Sequence, residues 1–187
     1  MEAMAQKAES ERRAPPRDIS AIYRSEVHRV ARFARSLAGP TIEVDDVVQE
    51  VFLTAHRLLS EFRGDSHVST WLYRITANAI YARRRKEKFR QLFTFTSDTR
   101  KYDVVAHGPS PLEEMERQQS SATVYRMLDQ LPEKLRTVFI LFEIDELSGE
   151  EISELTGVSL PTVWVRLSRA RKKLLERVKK QRGSDGR

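Results

Sequence analysis

The sequence contains no cysteine, which excludes disulfides, thiol nucleophiles and thiolate metal sites from its chemistry. Its four histidines are scattered at His28, His56, His67 and His107, and they form no pair at the helical spacing of metal ligands. No apolar run is long enough to span a membrane, and the charged residues 1–17 lack the apolar segment of a signal peptide. We therefore expect a cytoplasmic protein with no metal and no cofactor.

Positive charge exceeds negative charge: 33 lysines and arginines stand against 27 acidic residues, for a net charge of +6. This excess favours a polyanionic partner, such as a nucleic acid, without saying which one. With 40% apolar and 32% charged residues, the composition is that of a soluble folded protein. The 187 residues are enough for one sizeable domain or two small ones.

Three amphipathic helices are predicted in the first half of the chain. Apolar residues recur at three- and four-residue steps over residues 18–38, 44–61 and 62–90, the last range beginning with a polar loop. The predicted buried positions of the second and third helices are Val47, Val48, Val51, Phe52, Ala55, Leu58, Leu59 and Phe62, then Trp71, Leu72, Ile75, Ala79 and Ala82. Such helices close a small all-helical domain over residues 18–90, after a disordered extension at 1–17.

The second helix has an acidic outer face with one apolar residue at its centre. This face carries Asp45, Asp46, Gln49, Glu50 and Leu53. Charges at a rim steer a partner while an apolar anchor holds it, so the face suits docking onto a basic protein surface. A solvated helix face with one stray leucine is the alternative, because isolated apolar residues are common on protein surfaces.

The stretch over residues 62–85 has the features of a nucleic-acid-binding element. A loop with a glycine for a tight turn precedes a helix that Ser69 or Thr70 could cap. One arc of that helix mixes an amide and a phenol with cations, a combination that stacks on bases and neutralises phosphate. The arc consists of Arg74, Asn78, Tyr81 and Arg85. A solvated amphipathic helix with a charged end is the alternative reading.

Helical periodicity disappears over residues 91–111, which we interpret as a linker, and returns in a second domain over residues 112–180. A helix is predicted from Glu133, with Leu135, Val138, Phe139 and Phe142 facing inward. Ser148 and Glu151 then have the spacing of a capping box at the start of a short helix. The tail, residues 181–187, is expected to be disordered.

The short helix, a glycine-containing turn and a long basic helix form the helix-turn-helix pattern. Ser159 can cap the long helix, and Pro161 is tolerated in its first turn. Its buried side is predicted to carry Val163, Leu167, Ala170, Leu174 and Val178. Its outer side, as expected for a helix in the major groove, carries Thr162, Val165, Arg166, Arg169, Lys172 and Lys173. Trp164 lies between these sides and is expected to pack on a neighbouring helix. A helical bundle with a basic surface is the alternative.

Both halves of the chain resemble the extracytoplasmic-function group of bacterial sigma factors, within the sigma-70 family. The resemblance rests on the run DDVVQEVF at residues 45–52, on FRGDS and STWLYRITANAI in the third helix region, and on the distal helix-turn-helix. It implies two all-α domains, which correspond to sigma regions two and four. The acidic face with Leu53 would then dock on the clamp helices of the largest subunit of core RNA polymerase, with the flap of the second-largest subunit as a further partner.

The resemblance also implies roles in promoter binding. Arg63, Gly64, Asp65 and Ser66 would shape a pocket for a flipped base of the minus-ten element, with Asn78 beside it. The strand would lie near Arg74, Tyr81, Arg84 and Arg85. Region four would read the minus-thirty-five element with the outer side of its long helix. Members of the family are commonly held inactive by an anti-sigma factor, so such a partner and a role in a stress or envelope response are expected.

The long helix departs from the family pattern at Pro161, Trp164 and Val165. A valine can contact a thymine methyl group, whereas a hydroxyl at that position could hydrogen-bond to several bases. We therefore expect a promoter preference different from that of related proteins.

Two other classes of protein are alternatives to a sigma factor that is not itself an enzyme. A stand-alone helix-turn-helix regulator would explain the distal domain, but it leaves the acidic helix and the FRGDS loop without a role. A helical nuclease would use Asp45, Asp46 and Glu50 as metal ligands, but their spacing around Leu53 and the lack of a second carboxylate cluster argue against it.

Overall fold

The computed structural model describes residues 18–93 and 121–184, with side chains over 18–90 and 121–179. Within these ranges the secondary structure consists of α-helices and a 3₁₀ turn joined by loops, and no strand occurs. This confirms the predicted all-α class. The helices are α1 (Ile19–Ala38), α2 (Val44–Leu58), α3 (Val68–Phe93), α4 (121–128), α5 (Glu133–Glu143), α6 (Gly149–Thr156) and α7 (Leu160–Ser184). A 3₁₀ turn, Leu59–Glu61, follows α2.

Some of the predicted segments lie outside the described residues. These are the N-terminal extension, the linker beyond residue 93, the first nine residues of the second domain and the last three of the tail. Two predicted boundaries are wrong in part. Helix α3 continues to Phe93, so the first three residues assigned to the linker are helical. Helix α7 continues to Ser184, so the first four residues assigned to a disordered tail are helical too.

Helices α1, α2 and α3 form the first bundle. The Asp18 carboxylate caps α1 by accepting a hydrogen bond from the Ser20 backbone N–H at 2.8 Å. Gly39 ends α1 with a φ of +72°, a conformation that glycine adopts without the penalty of a Cβ. On α2, the predicted positions Val47, Val51, Phe52 and Ala55 are buried, while Val48 and Leu58 are half-buried. The remaining predicted positions, Leu59 in the 3₁₀ turn and Phe62 after it, are half-buried too.

The buried side of α3 differs from the predicted one. Leu72 is buried as expected, but Ala82 is exposed, and Trp71, Ile75 and Ala79 are only half-buried. The buried residues of this helix are Thr70, Leu72, Tyr73, Thr76, Ala77, Ile80 and Arg84. A single apolar arc predicts packing on one side of a helix. Helix α3, however, contacts α1 and α2 on one side and α6 on another, so its buried residues extend beyond one arc.

The start of α3 also corrects a prediction. The helix begins at Val68, so Ser69 and Thr70 lie in its first turn and not at its N-cap. The Thr70 hydroxyl donates instead to the Glu154 carboxylate on α6, at 3.0 Å.

Helices α4 to α7 form the second bundle. The predicted capping box opens α6, because the Glu151 N–H donates to the Ser148 hydroxyl at 3.2 Å and the Ser148 N–H donates to the Glu151 carboxylate at 2.8 Å. Gly157 ends α6 in the left-handed conformation, with φ of +69°. The predicted inner side of α7 is confirmed, with Val163, Leu167 and Ala170 buried and the other two positions half-buried.

The two bundles share one continuous apolar core. On α5, Leu135 and Val138 are buried as predicted, while Phe139 and Phe142 are half-buried. The same helix also buries Arg136, Thr137, Ile140 and Leu141. Burial on so many sides places α5 between its own bundle and the first one.

Candidate protein and nucleic-acid interfaces

The acidic face of α2 is open to solvent. All five predicted residues, Asp45, Asp46, Gln49, Glu50 and Leu53, are exposed. Leu53 retains 58% of its accessible surface and lies among the four polar residues of this face. The Glu50 carboxylate pairs with the guanidinium of Arg83 on α3 at 2.7 Å. The structure therefore brings together an apolar anchor and an acidic rim on one exposed face.

The loop between α2 and α3 has its base held by two aromatic rings. The rings of Phe62 and Trp71 lie 4.8 Å apart, which attaches the start of the loop to the first turn of α3. Gly64 has a φ of +77°, so the turn requires a residue that adopts positive φ. Arg63 and Asp65 are exposed, whereas Gly64 and Ser66 are half-buried. The loop thus presents two charges of opposite sign on a fixed base.

Three of the predicted nucleic-acid-binding residues of α3, Arg74, Asn78 and Arg85, are exposed on one side of the helix. Tyr81 belongs to the same side but is half-buried, and its hydroxyl lies 2.6 Å from that of Thr137 on α5. Because the Thr137 hydroxyl donates to the Glu133 carbonyl, Tyr81 is the donor in this contact. Burial, as the largest effect, raises the pKa of the Tyr81 phenol, so the hydroxyl keeps its proton and remains a donor.

Arg84 lies in a different environment from the other predicted minus-ten residues. Its side chain is only 6% exposed, and its guanidinium lies 2.8 Å from the Asp129 carboxylate and 3.3 Å from that of Glu133. Both acidic residues belong to the second bundle. A contact between Arg84 and a DNA strand remains a prediction, and in this arrangement its guanidinium is covered by protein.

Arg136 on α5 completes this group and was missed by the sequence reasoning. It is fully buried, and its guanidinium lies 3.4 Å from Asp129, 3.9 Å from Glu133 and 2.6 Å from the carbonyl oxygen of Leu37 in α1. Its pKa falls to about 10, first because burial disfavours the charge and second because Arg84 is close. One signal was present: Arg136 precedes Ile140 by one helical turn and so shares an apolar side of α5.

A cleft of about 820 Å³ lies between the two bundles. One wall belongs to α3 and includes Arg74, Asn78 and Arg85, while the opposite wall includes Lys134 and Arg166. The predicted minus-ten side of α3 therefore faces the second bundle across this cleft.

The helix-turn-helix consists of α6, the turn at Gly157 and α7. On the outer side of α7, Val165, Arg169, Lys172 and Lys173 are exposed. Thr162 and Arg166 are half-buried, because the Thr162 hydroxyl contacts that of Ser159 at 2.9 Å and Arg166 lines the cleft. The exposed residues Arg169, Lys172 and Lys173 form a basic surface along α7.

Trp164 packs against the scaffold of the helix-turn-helix, as expected. Its ring meets that of Phe142 on α5 edge to face, with 5.6 Å between the centroids. A Cβ added to Gly149 would lie only 2.5 Å from Cζ2 of this ring. Gly149 therefore leaves the space that Trp164 needs, and the contact sets how α7 sits against the start of α6.

Comparison with known families decides the classification. Residues 22–90 match the family described as sigma-70 region 2, and residues 121–174 match sigma-70 region 4. The chain is also 31% identical over 167 residues to the ECF RNA polymerase sigma factor SigW of Bacillus subtilis, covering 87% of this chain and 88% of SigW. The chain belongs to the sigma-70 family. Within it, this sigma factor is a member of the extracytoplasmic-function group, as the resemblance predicted.

Two solved structures have a similar fold. CnrH, in complex with the cytosolic domain of CnrY, is 26% identical, with a TM-score of 0.56 over 87% of this sigma factor and 88% of CnrH. RpoE of Bartonella quintana, in complex with the anti-sigma factor NepR, has a TM-score of 0.61 over 88% and 98% of the two chains. At 24% identity the likeness to RpoE concerns the fold alone.

The function of the family follows for this chain. It is a sigma factor, which directs core RNA polymerase to promoters for transcription initiation, and the sigma family is not an enzyme family. None of the helices in the described ranges is long and apolar enough to cross a bilayer.

Proposed function

We propose that this sigma factor, a non-enzymatic cytoplasmic protein, works through three surfaces. The acidic face of α2 binds core polymerase, the loop and basic side of α3 bind the minus-ten element, and the outer side of α7 binds the minus-thirty-five element. The exposed Leu53 within an acidic rim is the observation that supports this division most strongly. Charges of opposite sign on α2 and α7 direct one helix to protein and the other to DNA.

Polymerase binding rests on the acidic face of α2. The exposed Asp45, Asp46 and Gln49 surround the apolar side chain of Leu53 and can steer a basic surface toward it. Glu50 is already oriented by its pairing with Arg83. This pairing also argues against a metal-dependent nuclease at these carboxylates, because the Glu50 oxygen is bound to a guanidinium.

Binding of the minus-ten strand rests on the loop and α3. Capture of a flipped base requires a shaped pocket, since unstacking costs a few kcal/mol. The positive-φ turn at Gly64 places the polar side chains of Arg63, Asp65 and Ser66 in one short loop, which we propose forms this pocket. Asn78 adds an amide for hydrogen bonds, and Arg74 and Arg85 neutralise phosphate. We assign Tyr81 and Arg84 to the same surface once the second bundle has moved away.

Recognition of the minus-thirty-five element rests on α7. Val165 is exposed near the amino end of this helix, where base edges are contacted in helix-turn-helix proteins. Arg169, Lys172 and Lys173 follow on the flank, where the phosphate backbone would lie. Replacing Val165 with serine, V165S, should shift the preferred base opposite this position. Unchanged preference would contradict the assignment.

We also propose that an anti-sigma factor controls this protein in a stress or envelope response. The sigma fold of RpoE accepts the anti-sigma factor NepR, and CnrH accepts the cytosolic domain of CnrY. Co-purification of a chain that blocks polymerase binding by this protein would support the proposal.

Run-off transcription with purified core polymerase and a genomic promoter library tests the assignment of surfaces. Transcripts that depend on this protein should disappear with Leu53→Asp, because a carboxylate cannot replace the apolar anchor. Leu175→Asp is the matched control, since Leu175 on α7 is 57% exposed and Leu53 is 58% exposed. Equal activity of the two variants would contradict polymerase binding through α2.

A second variant tests the minus-ten assignment. Asn78→Ala should leave polymerase binding intact and slow strand opening, and His56→Ala, another exposed position of the first bundle, serves as its control. If no transcript appears and the protein binds specific duplex DNA without polymerase, the stand-alone regulator becomes the better description.

A further inference from the structure

The cleft between the two bundles is strongly basic. Its lining includes one carboxylate, that of Glu133, and five cations, Arg74, Arg85, Lys88, Lys134 and Arg166. Within the described ranges, none of these five cations forms an ion pair. The cations lie on both walls, and like charges that face each other repel. An anion between the walls would relieve this repulsion.

The carboxylate in the cleft already has its counter-charges. Glu133 lies 3.3 Å from the guanidinium of Arg84 and 3.9 Å from that of Arg136. The same two arginines flank Asp129, at 2.8 Å and 3.4 Å. We call Arg84, Asp129, Glu133 and Arg136 the interdomain charge cluster. Its two cations and two anions balance one another, so Glu133 does not neutralise the five cations of the cleft.

A buried hydroxyl group belongs to the cleft as well. Tyr73 lines the cleft and is only 2% exposed, and among the described residues its hydroxyl has no hydrogen-bond partner. The neighbouring Tyr81 hydroxyl already donates to Thr137. Burial, followed by the proximity of Tyr81, raises the pKa of the Tyr73 phenol well above its ordinary value, so it keeps its proton. A buried donor without a partner is costly, and a ligand oxygen that reached it would remove this cost.

The cleft also has an apolar part. Ala77 on α3 contributes to it from the first bundle, and Val138, Leu155 and Val158 contribute from the second. Asn78 adds an amide group that can hydrogen-bond to the edge of a base. The volume of about 820 Å³ is typical of sites for small organic ligands. A ligand that uses all of these features has several negative charges and a flat, partly apolar ring.

We propose that the cleft binds a nucleoside triphosphate: the cations of both walls and the Tyr73 hydroxyl hold the phosphates, and the apolar side chains hold the base. This assignment rests in part on the proposed function, because Arg74, Asn78 and Arg85 are also assigned to the minus-ten strand. A bound nucleotide would therefore compete with the strand. Since it contacts both walls, it would also favour the arrangement in which the bundles lie together. The nucleotide concentration would thus control how readily this sigma factor binds a promoter.

Isothermal titration calorimetry of the full chain with ATP is the first test. One ATP should bind per chain, and Tyr73→Phe should weaken binding about tenfold, because a buried hydrogen bond to a charged oxygen is lost. Tyr23→Phe, at an exposed tyrosine of α1, is the matched control and should bind ATP as tightly as the unchanged protein. Failure of the unchanged protein to bind ATP would overturn the proposal. Equal affinity of the two variants would contradict the role of the Tyr73 hydroxyl.

A second variant changes an exposed position, so folding does not limit the result. Lys134 is exposed on the second-bundle wall of the cleft and is not proposed to touch DNA. Lys134→Gln should weaken ATP binding about threefold, as expected for one solvent-screened charge, and leave binding of a single-stranded minus-ten oligonucleotide unchanged. Lys179→Gln, at an exposed lysine of α7 outside the cleft, should change neither affinity. Equal affinities of these two variants for ATP would overturn the proposal.

The oligonucleotide separates the nucleotide site from the minus-ten assignment. ATP should displace the oligonucleotide from the unchanged protein, because both use Arg74 and Arg85. If Lys134→Gln weakened both ligands equally, the cleft would belong to the strand site alone and the nucleotide site would be refuted. If ATP bound with the expected losses and the oligonucleotide did not bind, the minus-ten assignment would be refuted and the nucleotide site would stand.

Inorganic tripolyphosphate tests whether the nucleoside contributes to binding. It carries the charges of ATP without the base, so it leaves the apolar side chains of the cleft uncovered. We expect it to bind about tenfold more weakly than ATP, which corresponds to a modest loss of buried apolar area. Equal affinity for the two ligands would refute recognition of a nucleotide.

The distance between the bundles tests whether the ligand contacts both walls. Because the protein has no cysteine, Ser60→Cys and Leu175→Cys provide two unique and exposed sites for spin labels, one in each bundle. Pulsed electron paramagnetic resonance then measures the interdomain distance distribution. In the labelled protein saturated with ATP, this distribution should be narrow and short. A broad, long distribution under saturation would overturn a site built from both bundles.

Discussion

Helices α3 and α7 are similar in length and pattern but differ in how they are buried. They contain 26 and 25 residues, and each has an apolar side and a basic side. Helix α7 packs through the side that its periodicity predicts, with Leu167 and Ala170 at the centre. Helix α3 is buried on a second side as well, where Ala77 and Arg84 meet the other bundle. Apolar periodicity thus predicts packing within a bundle, whereas contact with a second bundle through polar groups leaves no such pattern.

The largest effects should come from the sides of α3 and α7 that pack within their own bundles. Ile80→Ala and Leu167→Ala remove nearly fully buried side chains, so each should lower the free energy of unfolding by about 2–5 kcal/mol, measured by urea denaturation. Leu175→Ala, at an exposed position of α7, should change it by less than about 0.5 kcal/mol. If Leu167→Ala changed the free energy of unfolding as little as Leu175→Ala, the packing of α7 through this side would be refuted.

A smaller effect should follow from crowding at the start of α6. Gly149→Ala places a methyl group against Trp164, so it should lower the free energy of unfolding by about 1–3 kcal/mol through overpacking. In a Trp164→Ala background the same change should be less harmful, as a double-mutant cycle would measure. Gly157→Ala is a useful contrast, since its cost comes from positive φ and should not depend on Trp164. If the effects of Gly149→Ala and Trp164→Ala on the free energy of unfolding simply added, the close contact between Gly149 and Trp164 would be contradicted.

A third change acts only on the contact between the second bundle and the end of α1. Tyr125→Phe removes the hydrogen bond to the Ser36 carbonyl and should weaken closure of the bundles by about 1 kcal/mol. The interdomain distance distribution should shift toward longer values, without loss of helix content by circular dichroism. Tyr23→Phe, at an exposed tyrosine of α1, should leave the distribution unchanged. A shift of the same size in both variants would show that the Tyr125 hydroxyl has no special role.

The smallest effect concerns pH. Asp145 accepts a hydrogen bond from Ser36 at 2.8 Å, and burial, as the largest effect, raises the pKa of its carboxyl above the ordinary 3.8. The folded protein therefore binds this proton more tightly than the unfolded chain, and the contribution of Asp145 to stability declines as the pH rises above 3.8. Asp145→Asn should remove this decline from urea midpoints measured across that range. Glu150→Gln, at an exposed position, should retain it.

Much of the fold could be predicted because caps, turn glycines and apolar periodicity mark the same helices that pack in the structure. The capping box at Ser148, the turn glycine at Gly157 and the periodicity of α7 all mark the helix-turn-helix, and each acts within a few residues. The acidic face of α2 could be predicted for the same reason, since five neighbouring positions on one helix define it.

The interdomain charge cluster could not be predicted in this way. Arg84 lies within a run of three arginines, and such runs are normally solvated. Its partners are 45 or more residues away in the sequence, beyond the linker. The side chain of Arg136 is charged, so apolar periodicity does not mark it as buried, although it is fully buried. Burial of both residues depends on long-range contact that no local pattern encodes.

The aromatic contacts give the molecule two built-in optical reporters. The sequence has two tryptophans. Trp71 lies beside Phe62 at the base of the FRGDS loop, and Trp164 on α7 lies beside Phe142 on α5. Replacing either one with phenylalanine leaves a single indole whose emission follows one bundle. Stopped-flow measurement of tryptophan fluorescence can thus follow two events separately and without an attached dye. These events are rearrangement of the FRGDS loop and binding of α7 to duplex DNA.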